Sequence, residues 1–499
     1  MMSTESFSIQ TAQLRGVNAL PVSVEVGITG GIPNITIVGC ADSVVMESRA
    51  RVRSAFKECG FSVPRAHVTV NLSPAETRKT GTAFDFPIAV AILAVTGQIP
   101  IDGLDRCLFV GELGLSGDVY TTRGTVAYAR LAHQMGLVLV FGGEQGCLPL
   151  EETLVCDNIS LLREGIERCV PFSHLSSLRK RAADEEPPIE FDFADVIDQD
   201  MAKRAFLIAA VGNHGLMMMG PPGAGKTMLA RRMPSILPPM NDEELNEALL
   251  VHSVAGADTQ DIAMGIRPFR APHHSISLGG LIGGGRPVMP GEISLAHRGV
   301  LFLDEMPEFA TNVLQSLRQP LEEHEVRLVR VDGIYTFPCD FQLIAAANPC
   351  PCGHLGDPGH ECTCSAARIA SYQSRIGGPL MDRIDVLVDV ARPDSQKVIA
   401  GEAGLSSHDM RDLLGSALEF RRCRERRSGS SSGRGIDSFG FSIDAQRAFE
   451  TVSDRLALGG RAIVRVARVA RSIADLEQSD AVTPENVLEA CAFRSRSFG

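Results

Sequence analysis

The feature that most constrains the fold of this chain is the glycine-rich octapeptide GPPGAGKT at 220–227. Its flanks have matching patterns, because LMMM at 216–219 suits a buried strand and MLARRM at 228–233 suits the start of a helix. Glycines let the backbone curl so that its N–H groups face phosphate oxygens at a helix N-terminus. The alternative is a glycine-rich turn without a ligand, although the octapeptide fits the phosphate-binding loop at every fixed position. We therefore expect an α/β nucleotide-binding fold in which ATP contacts Gly220, Pro221, Pro222, Gly223, Ala224, Gly225, Lys226 and Thr227.

A second apolar run, GVLFLDEM at 299–306, ends in two carboxylates. Ligand sites in open α/β sheets lie at the carboxyl edge of the strands, where such residues would be delivered. The two motifs together predict that Lys226 reaches the β- and γ-phosphates and that Thr227 and Asp304 hold Mg²⁺. Glu305 would then polarise the attacking water. Asp-Glu alone would equally fit a buried strand followed by a solvated acidic turn.

Two further segments end in, or contain, candidate catalytic groups. FQLIAAANP at 341–349 suits a buried strand ending in Asn348, whose side chain could hydrogen-bond the γ-phosphate or the attacking water. GPLMDRIDV at 378–386 holds Arg383 between two aspartates. Taken alone, Asn-Pro indicates a turn, and an arginine between acids indicates a surface ion pair.

Length and patterning predict several domains, because 499 residues suit two to four of them. Residues 1–178 alternate short β-rich runs with helical segments and favour an α/β or α+β domain. Residues 179–192 are charged, contain Pro-Pro and lack apolar periodicity, so we expect a linker there. A second α/β unit is expected at 193–390, and mainly amphipathic helices at 391–499.

Composition excludes several classes of protein. The chain has 48 basic and 60 acidic residues, and its net charge of −12 argues against histone-like binding of nucleic acid, though not against a local basic channel. Hydrophobic residues make up 44%, which excludes a mainly disordered chain. Neither a long apolar run nor a secretory signal is found, so we expect a cytoplasmic protein without a membrane partner. Most of the 13 cysteines should be reduced and buried.

Phrases along nearly the whole chain resemble the competence protein ComM (YifB) family, a magnesium-chelatase-like branch of the AAA+ ATPases. The resemblance implies that Asn348 is sensor 1, that Arg383 is an arginine finger acting on a neighbouring subunit, and that Arg461 is the sensor 2 arginine. It also makes 391–499 a helical lid. The matching phrases are VIDQDMAKRAFLIAAVGNHG, RPFRAPHHSISLGGLIGGG, PGEISLAHRGVLFLDEMPEF, AAANPCPCG, GPLMDRIDV and RVARVARSIADL.

The family resemblance further implies a homo-hexameric ring that hydrolyses ATP with Mg²⁺ and drives DNA branch migration during recombination in natural transformation. Two other classes stay open. One is a metal-insertion motor like magnesium chelatase, which would need a porphyrin-binding partner. The other is an ATP-dependent protease like Lon.

The N-terminal domain resembles the Lon-protease-like domain of this family. Lon proteases use a Ser–Lys dyad, in which a desolvated amine deprotonates the hydroxyl. The segment where the nucleophile would fall, Gly81 to Asp85, contains no serine, and the lysine position falls near Tyr128. We therefore expect a scaffold or a DNA-facing platform and no peptidase.

Three segments are candidates for contact with DNA. In the resembled family, HHSISLGGLIGGGRP at 273–287 is the helix-2 insert, and HEVRLVRVDGIYTFPCDF at 324–341 is the pre-sensor-1 hairpin. The latter alternates apolar and polar residues around Asp-Gly, which predicts a hairpin from the sequence alone. Arg327 and Arg330 would lie on it and contact DNA. The third candidate is the arginine-rich run RRCRERRSGSSSGRG at 421–435, which is also typical of a solvated helix face.

Four cysteines cluster in NPCPCGHLGDPGHECTC at 348–364, as C-x-C, nine residues and C-x-C. Four thiolates in a short Gly/Pro-rich loop can surround a tetrahedral Zn²⁺, although the usual spacing is C-x₂₋₄-C. The alternative is a set of reduced cysteines that bind nothing. The candidate ligands of a structural Zn²⁺ are Cys350, Cys352, Cys362 and Cys364.

Overall fold

The computed structural model describes residues 6–143, 153–172, 191–357, 359–376, 380–401, 404–428 and 435–494. The linker expected at 179–192 lies outside the described residues apart from its last two. In the described parts of the chain, no helix combines the length and hydropathy needed to cross a bilayer.

The described residues up to 172 build a mixed eight-stranded sheet. Its strands pair in the order β10-β9-β8-β5-β1-β2-β4-β3, with β1–β2, β2–β4 and β9–β10 antiparallel and the other pairs parallel. β6 and β7 form a separate two-stranded ribbon. The strands are β1 Ser6–Arg15, β2 Asn18–Thr29, β3 Asn34–Val38, β4 His67–Ser73, β5 Cys107–Phe109, β6 Glu112–Leu113, β7 Val119–Tyr120, β8 Val138–Phe141, β9 Thr153–Val155 and β10 Val170–Pro171.

Side-chain alternation explains which face of this sheet is buried. In β2, Val22, Val24 and Val26 are buried, whereas Glu25 between them is exposed, as a period of two requires. The helix Asp85–Val95 (α2) is apolar on all sides after Asp85, and it is buried along its whole length. The helices of this part are α1 Ser43–Glu58, α2 Asp85–Val95 and α3 Thr125–Gln134.

The second part is built on a five-stranded sheet in the order β12-β15-β18-β11-β19, in which every neighbouring pair is parallel. Strands β11, β15 and β18 are buried along their whole length, as expected when helices cover both faces of a parallel sheet. The remaining strands form two hairpins. The bounds are β11 Leu216–Met219, β12 Phe269–Arg270, β13 Gly283–Gly284, β14 Met289–Pro290, β15 Val300–Leu303, β16 Glu325–Arg330, β17 Gly333–Pro338, β18 Gln342–Ala347 and β19 Val386–Asp389.

Helices of this second part surround the parallel sheet. They are α4 Asp200–Gly212, α5 Lys226–Arg231, α6 Met233–Ile236, α7 Asp242–Ala255, α8 Gln260–Ala263, α9 Leu278–Ile282, α10 Glu292–Leu295, α11 Thr311–Ser316, α12 Pro320–Glu323 and α13 Ala366–Ile376.

After the last strand of the parallel sheet, the described chain is helical. Its most strongly amphipathic helix, α17, buries Val466, Val469 and Ile473 against α4, which packs the C-terminal helices onto the second part. The helices are α14 Ser395–Ala400, α15 Ser407–Ser428, α16 Ile443–Arg455, α17 Gly460–Leu476 and α18 Pro484–Ala492.

The predicted combination of a mixed α/β fold, a central parallel sheet and a helical C-terminus is confirmed. The Lon-like character of the N-terminal part and the predicted domain boundaries stay predictions. The two parts also share one hydrophobic cluster, in which Ala12 of β1 and Val126 of α3 join Leu249 of α7 and Phe337 of β17. The N-terminal part is therefore packed directly on the second part.

Candidate active site

The glycine-rich loop lies between β11 and α5, at the carboxyl edge of the parallel sheet. Gly223 and Gly225 have φ of +79° and +86°, values that favour glycine, and a Cβ at either would meet no atom within 4 Å. Gly220 is different, because its Cβ would meet the carbonyl oxygen of Val390 at 2.0 Å. Gly220 is thus required for close packing against Val390, whereas Gly223 and Gly225 are required for the left-handed backbone conformation of the loop.

Lys226 joins the loop to the end of the neighbouring strand. Its Nζ donates to the carbonyl oxygens of Gly220 at 2.7 Å and Pro221 at 3.0 Å, and to Oδ1 of Asn348 at 3.0 Å. Burial lowers the pKa of the Lys226 ammonium, while the two carboxylates after β15 act in the opposite direction. A cation is therefore held directly between the loop and Asn348.

The two oxygen groups predicted to hold Mg²⁺ are in direct contact. Thr227 Oγ1 donates to Asp304 Oδ2 at 2.6 Å, and Asp304 Oδ1 accepts from the backbone N–H of Glu305 at 3.0 Å. Hydroxyl and carboxylate oxygens are the donor set that Mg²⁺ prefers, and Mg²⁺ typically binds through one or two such side chains plus phosphates. The residues present thus fit this cation.

Glu305 adopts an uncommon backbone conformation, with φ of +49°. Such left-handed geometry in a non-glycine residue is costly and concentrates at functional sites. Its exposed carboxylate has Oε2 3.8 Å from Nδ1 of His274, in the segment between the two nucleotide motifs. Sequence reasoning missed His274, because nothing in its spacing indicates this contact.

Arg383 and Arg461 lie together, but away from the phosphate-binding loop of their own chain. Arg383 precedes β19 and Arg461 lies in the first turn of α17, and both line a cavity of about 770 Å³. The cavity also borders Gly215 before β11, at the amino edge of the sheet, whereas the glycine-rich loop follows β11. Strands of four to six residues separate the two edges by roughly 13–20 Å.

Arg383 is held by an acidic partner at this amino edge. Its guanidinium pairs with Glu322 of α12, and its pKa is lowered by burial and by the nearby cations Arg461, Arg318 and Arg465. Four arginines and three carboxylates line the cavity, and Arg383 and Arg465 are each paired with one of these acids. The sequence-predicted sensor 2 arginine is brought next to the predicted finger, and neither approaches Lys226 of the same chain.

The predicted hairpin is present as β16 and β17, with Arg330 paired to Gly333. Its two-residue turn is therefore Val331-Asp332, one position earlier than the predicted centre at Asp332-Gly333. Gly333 has φ of +138°, and Asp332 is fixed because its carbonyl accepts from Arg15 Nη2 at 2.9 Å. The turn at Val331-Asp332 is therefore held by Arg15 of the N-terminal part. The local sequence of the hairpin cannot reveal this distant contact.

The two predicted inserts meet at the hairpin. A Cβ on Gly284 would lie 3.1 Å from Arg330 Nη2, so the glycine-rich insert approaches this exposed arginine. Arg327 pairs instead with Glu325 on its own strand, with Nε 2.5 Å from Oε1. Val329 and Val331 at the tip are exposed, the former at 73%. The tip thus presents both cationic and apolar side chains to solvent.

The four clustered cysteines are brought together by the loop after β18. Each offers a sulfur, and the four sulfurs lie within 4.8 Å of one another.

The positions predicted to correspond to the Lon dyad lie in the interior of the N-terminal part. Asp85, at the end of the segment Gly81 to Asp85, and Tyr128 are buried, with exposures of 0% and 3%. Burial raises the pKa of both side chains.

Comparison with known proteins identifies the family. Profiles of three families match: "Magnesium chelatase, subunit ChlI" over 192–398, "Subunit ChlI of Mg-chelatase" over 24–141, and "Magnesium chelatase, subunit ChlI C-terminal" over 404–494. The chain is 36% identical to the uncharacterized protein YifB of Salmonella typhimurium, covering 98% of this chain and 96% of that one. It is 38% identical to an uncharacterized protein of Mycobacterium tuberculosis, covering 96% and 97%. It is 36% identical to competence protein ComM of Haemophilus influenzae, covering 96% of each.

A shorter match links the chain to a magnesium-chelatase 67 kDa subunit of Chlorobaculum parvum, with 27% identity over 32% of this chain. The family suggests an ATPase that uses ATP and Mg²⁺, consistent with the residues around Lys226 and Asp304. With full-length relatives above 30% identity, the chain belongs to the ComM/YifB family of magnesium-chelatase-like proteins.

Proposed function

We propose that this protein is an ATP-hydrolysing AAA+ motor that acts on DNA as a homo-hexameric ring. The observation that carries the ATPase part is the meeting of three strand ends at one edge. Lys226 after β11 contacts Asn348 after β18, and Thr227 contacts Asp304 after β15. A cation, an amide, a hydroxyl and a carboxylate are thereby brought together at one edge of the sheet.

In the proposed reaction, water attacks the γ-phosphorus and the bond to the ADP oxygen breaks, giving ADP and inorganic phosphate. Lys226 binds the β- and γ-phosphate oxygens, Glu305 accepts hydrogen bonds from the water, and Asn348 orients it. Bound Mg²⁺, held through Thr227 and Asp304, supplies charge neutralisation on the phosphates. A structural Zn²⁺ on the four cysteines would take no part in that chemistry.

A ring explains why the two predicted catalytic arginines are remote from Lys226. We propose that Arg383 and Arg461 complete the site of the adjacent subunit, where a guanidinium stabilises the charge that develops in the transition state. The cavity at the amino edge supports this, because four arginines line it against three carboxylates and leave it with a net positive charge. A repeated carboxyl-edge to amino-edge contact is heterologous, which is the type of contact that builds a ring when its rotation closes.

The proposed DNA contact is local, since a net charge of −12 makes the outer surface a poor polyanion binder. It rests on Arg330 and the glycine-rich insert, which lie side by side. The relative named as a competence protein favours a role in natural transformation, and we propose branch migration during recombination as the process driven.

Two other functions would use the same ATP site. The magnesium-chelatase family profiles favour a metal-insertion motor as the alternative, whereas the missing Ser–Lys dyad disfavours a Lon-like protease. ATPase rates with no polymer, single-stranded DNA, branched DNA, casein and a porphyrin separate the three. We expect stimulation by DNA alone; stimulation by porphyrin or casein instead would overturn the DNA motor.

The catalytic assignment is tested with two variants. Glu305→Gln should keep ATP binding and lower turnover by about 10²- to 10⁴-fold, because the amide fills the same space but cannot polarise the attacking water. Lys226→Ala should weaken ATP binding itself. Equilibrium binding of a fluorescent ATP analogue and steady-state phosphate release measure both.

Glu308→Gln is the matched control, since Glu308 is exposed and three residues further along the same segment. It should leave binding and turnover near those of the parent protein. Loss of nucleotide binding in Glu305→Gln, or full turnover in that variant, would remove Glu305 from the proposed role.

A further inference from the structure

We propose that Cys350, Cys352, Cys362 and Cys364 bind one Zn²⁺, and that the loop held by this ion supports the phosphate-binding loop. The second half of this inference rests on the proposed ATP site, whereas the first half stands on the cysteine geometry alone.

The sulfur positions match a tetrahedral ion. Zn–S bonds of 2.3 Å in a tetrahedron place neighbouring sulfurs about 3.8 Å apart. Cys350 and Cys352 have their Sγ atoms 3.4 Å apart, Cys350 and Cys362 3.7 Å, and Cys352 and Cys362 3.6 Å. Cys364 completes the group, since all four sulfurs lie within 4.8 Å of one another. So small a cage has room for one ion and none for a cluster with its own sulfides.

The chemistry of the donor set selects the ion. Four thiolates with no carboxylate or carbonyl oxygen favour a borderline-soft cation over Mg²⁺ or Ca²⁺, and tetrahedral S₄ sites hold zinc or iron. Without a cation, four ionised sulfurs at these distances would repel one another. A closed set of four protein ligands is typical of structural zinc.

The nine residues between the two C-x-C pairs are folded back by an ionic centre of their own. Asp357 has a side chain only 4% exposed, and its Oδ2 lies 3.1 Å from Nδ1 of His354 and 3.4 Å from Nδ1 of His360. Arg392 brings Nη2 to 3.3 Å from the same oxygen. We assign no second metal to this group, because the guanidinium already supplies its cation. Instead, the centre brings the two cysteine pairs together.

The cysteine loop touches the proposed ATP site in two ways. Cys350 is fully buried and follows Asn348 by two residues, so the ion would fix the chain directly after the sensor. Gly353 packs on the glycine-rich loop, where a Cβ on Gly353 would lie 2.5 Å from Cδ of Pro222. Loss of the ion would release this support, and nucleotide affinity should fall.

The metal is tested first, on the full-length reduced protein purified without chelator. Elemental analysis should find about one zinc per chain and no stoichiometric iron. Cys352→Ser and Cys364→Ser should lose the zinc, and Cys423→Ser, at an exposed cysteine on α15, should keep it. Stripping the parent protein and adding Co²⁺ should give thiolate-to-cobalt charge-transfer absorption, which does not depend on any variant folding. Absence of zinc, iron in its place, or zinc retained by both serine variants would overturn the site.

The coupling is tested separately by binding of a fluorescent ATP analogue with Mg²⁺. Zinc-stripped protein should bind the analogue about tenfold more weakly and recover when Zn²⁺ is returned. Gly353→Ala should keep its zinc and lose affinity, because the added Cβ meets Pro222. Gly356→Ala is the control, since Gly356 has a similar φ of +77° on the same loop but open space at its Cβ.

The two failures can be told apart. Zinc bound in the expected amount, with unchanged affinity on stripping and in Gly353→Ala, would overturn the coupling and leave the metal site intact. Unchanged affinity in Lys226→Ala would instead overturn the proposed ATP site.

Discussion

Asp85 is a buried carboxylate at the start of α2, and its charge is balanced by one cation. Its Oδ2 lies 2.5 Å from Nε of Arg51, its other oxygen accepts from Ser48, and its side chain is fully buried. Burial raises the pKa of Asp85, and the Arg51 and Ser48 hydrogen bonds act in the opposite direction. The segment that would carry a Lon nucleophile thus ends in a buried ion pair between α1 and α2.

We predict that Arg51→Ala lowers the free energy of unfolding by about 3 kcal/mol, because it leaves a buried carboxylate unpaired. The carboxyl pKa of the variant should rise further, so the deficit should be present at about pH 8 and shrink towards about pH 5, where the variant can protonate Asp85. Urea unfolding at both pH values measures it. Arg49→Ala, at an exposed position on the same helix, should cost under about 0.5 kcal/mol, and an equal loss there would contradict the ion-pair account.

For single residues, the sequence predicted the positions of those that belong to a contiguous motif. Lys226, Thr227 and Asp304 lie where the strand and helix pattern places them, because parallel strands deliver their carboxyl ends to one edge. His274 could not be predicted, since its approach to Glu305 depends on how the segment between the motifs folds. The clustering of Arg383 with Arg461 likewise depends on the packing of α17 against the sheet.

The hairpin formed by β16 and β17 is the element on which the proposed DNA contact depends. Arg330 is exposed beside Gly284, and its neighbours Val329 and Ile334 are exposed at 73% and 57%. The arginine-rich run at 421–435 is the other candidate for the DNA contact. Among its described residues, Arg424 pairs with Asp475 and Arg427 with Asp480, so these two guanidinium groups already have acidic partners. Its segment 429–434 lies outside the described residues.

We predict that Arg330→Ala weakens DNA binding and DNA-stimulated ATPase together while basal ATPase stays near its parent value. Loss of one phosphate contact should flatten the plot of log affinity against log salt by roughly 0.7–0.9 units. Fluorescence anisotropy over a salt series measures the slope. Arg447→Ala, on the exposed face of α16, should leave it unchanged. An unchanged slope in both Arg330→Ala and a deletion of 279–285 would contradict this proposal and make 421–434 the leading candidate for the DNA contact.

Strands that pair with a neighbour in the sequence could be predicted, whereas strands that pair with a partner far along the chain could not. Alternation and a turn signal located the hairpin within one residue, because its strands are adjacent in sequence. The order β10-β9-β8-β5-β1-β2-β4-β3 was beyond prediction, since β1 pairs with β5 across about a hundred residues of chain.

The two described parts of the molecule are joined by a hydrophobic cluster to which both contribute. Leu249 of α7 and Phe337 of β17 pack with Ala12 and Val126 of the N-terminal part, and Arg15 reaches the carbonyl oxygen of Asp332 at the hairpin tip. The hairpin tip is thus in direct contact with the N-terminal part. Sequence patterning gave two α/β units but not this shared core, because both sets of apolar residues also fit separate domains.

At the scale of the assembly, the proposed ring requires each site to be built from two subunits. Arg383→Ala subunits should bind ATP but hydrolyse almost none, because the missing guanidinium serves the neighbouring site. Lys226→Ala subunits should be equally inactive while carrying an intact Arg383. In an equal mixture, a random interface combines an intact glycine-rich loop with an intact Arg383 in about one case in four, so up to about a quarter of the parent rate should return.

The matched control is the double variant Lys226→Ala/Arg383→Ala, which should not rescue either single variant, because no interface then gains a complete site. Mixed assembly is established independently by co-purification of differently tagged subunits, and phosphate release is measured on that fraction. Mixed rings that assemble and stay inactive would contradict action across the interface. Hydrolysis by isolated Arg383→Ala subunits at the parent rate would remove the arginine from catalysis, and its pairing with Glu322 would then be its whole role.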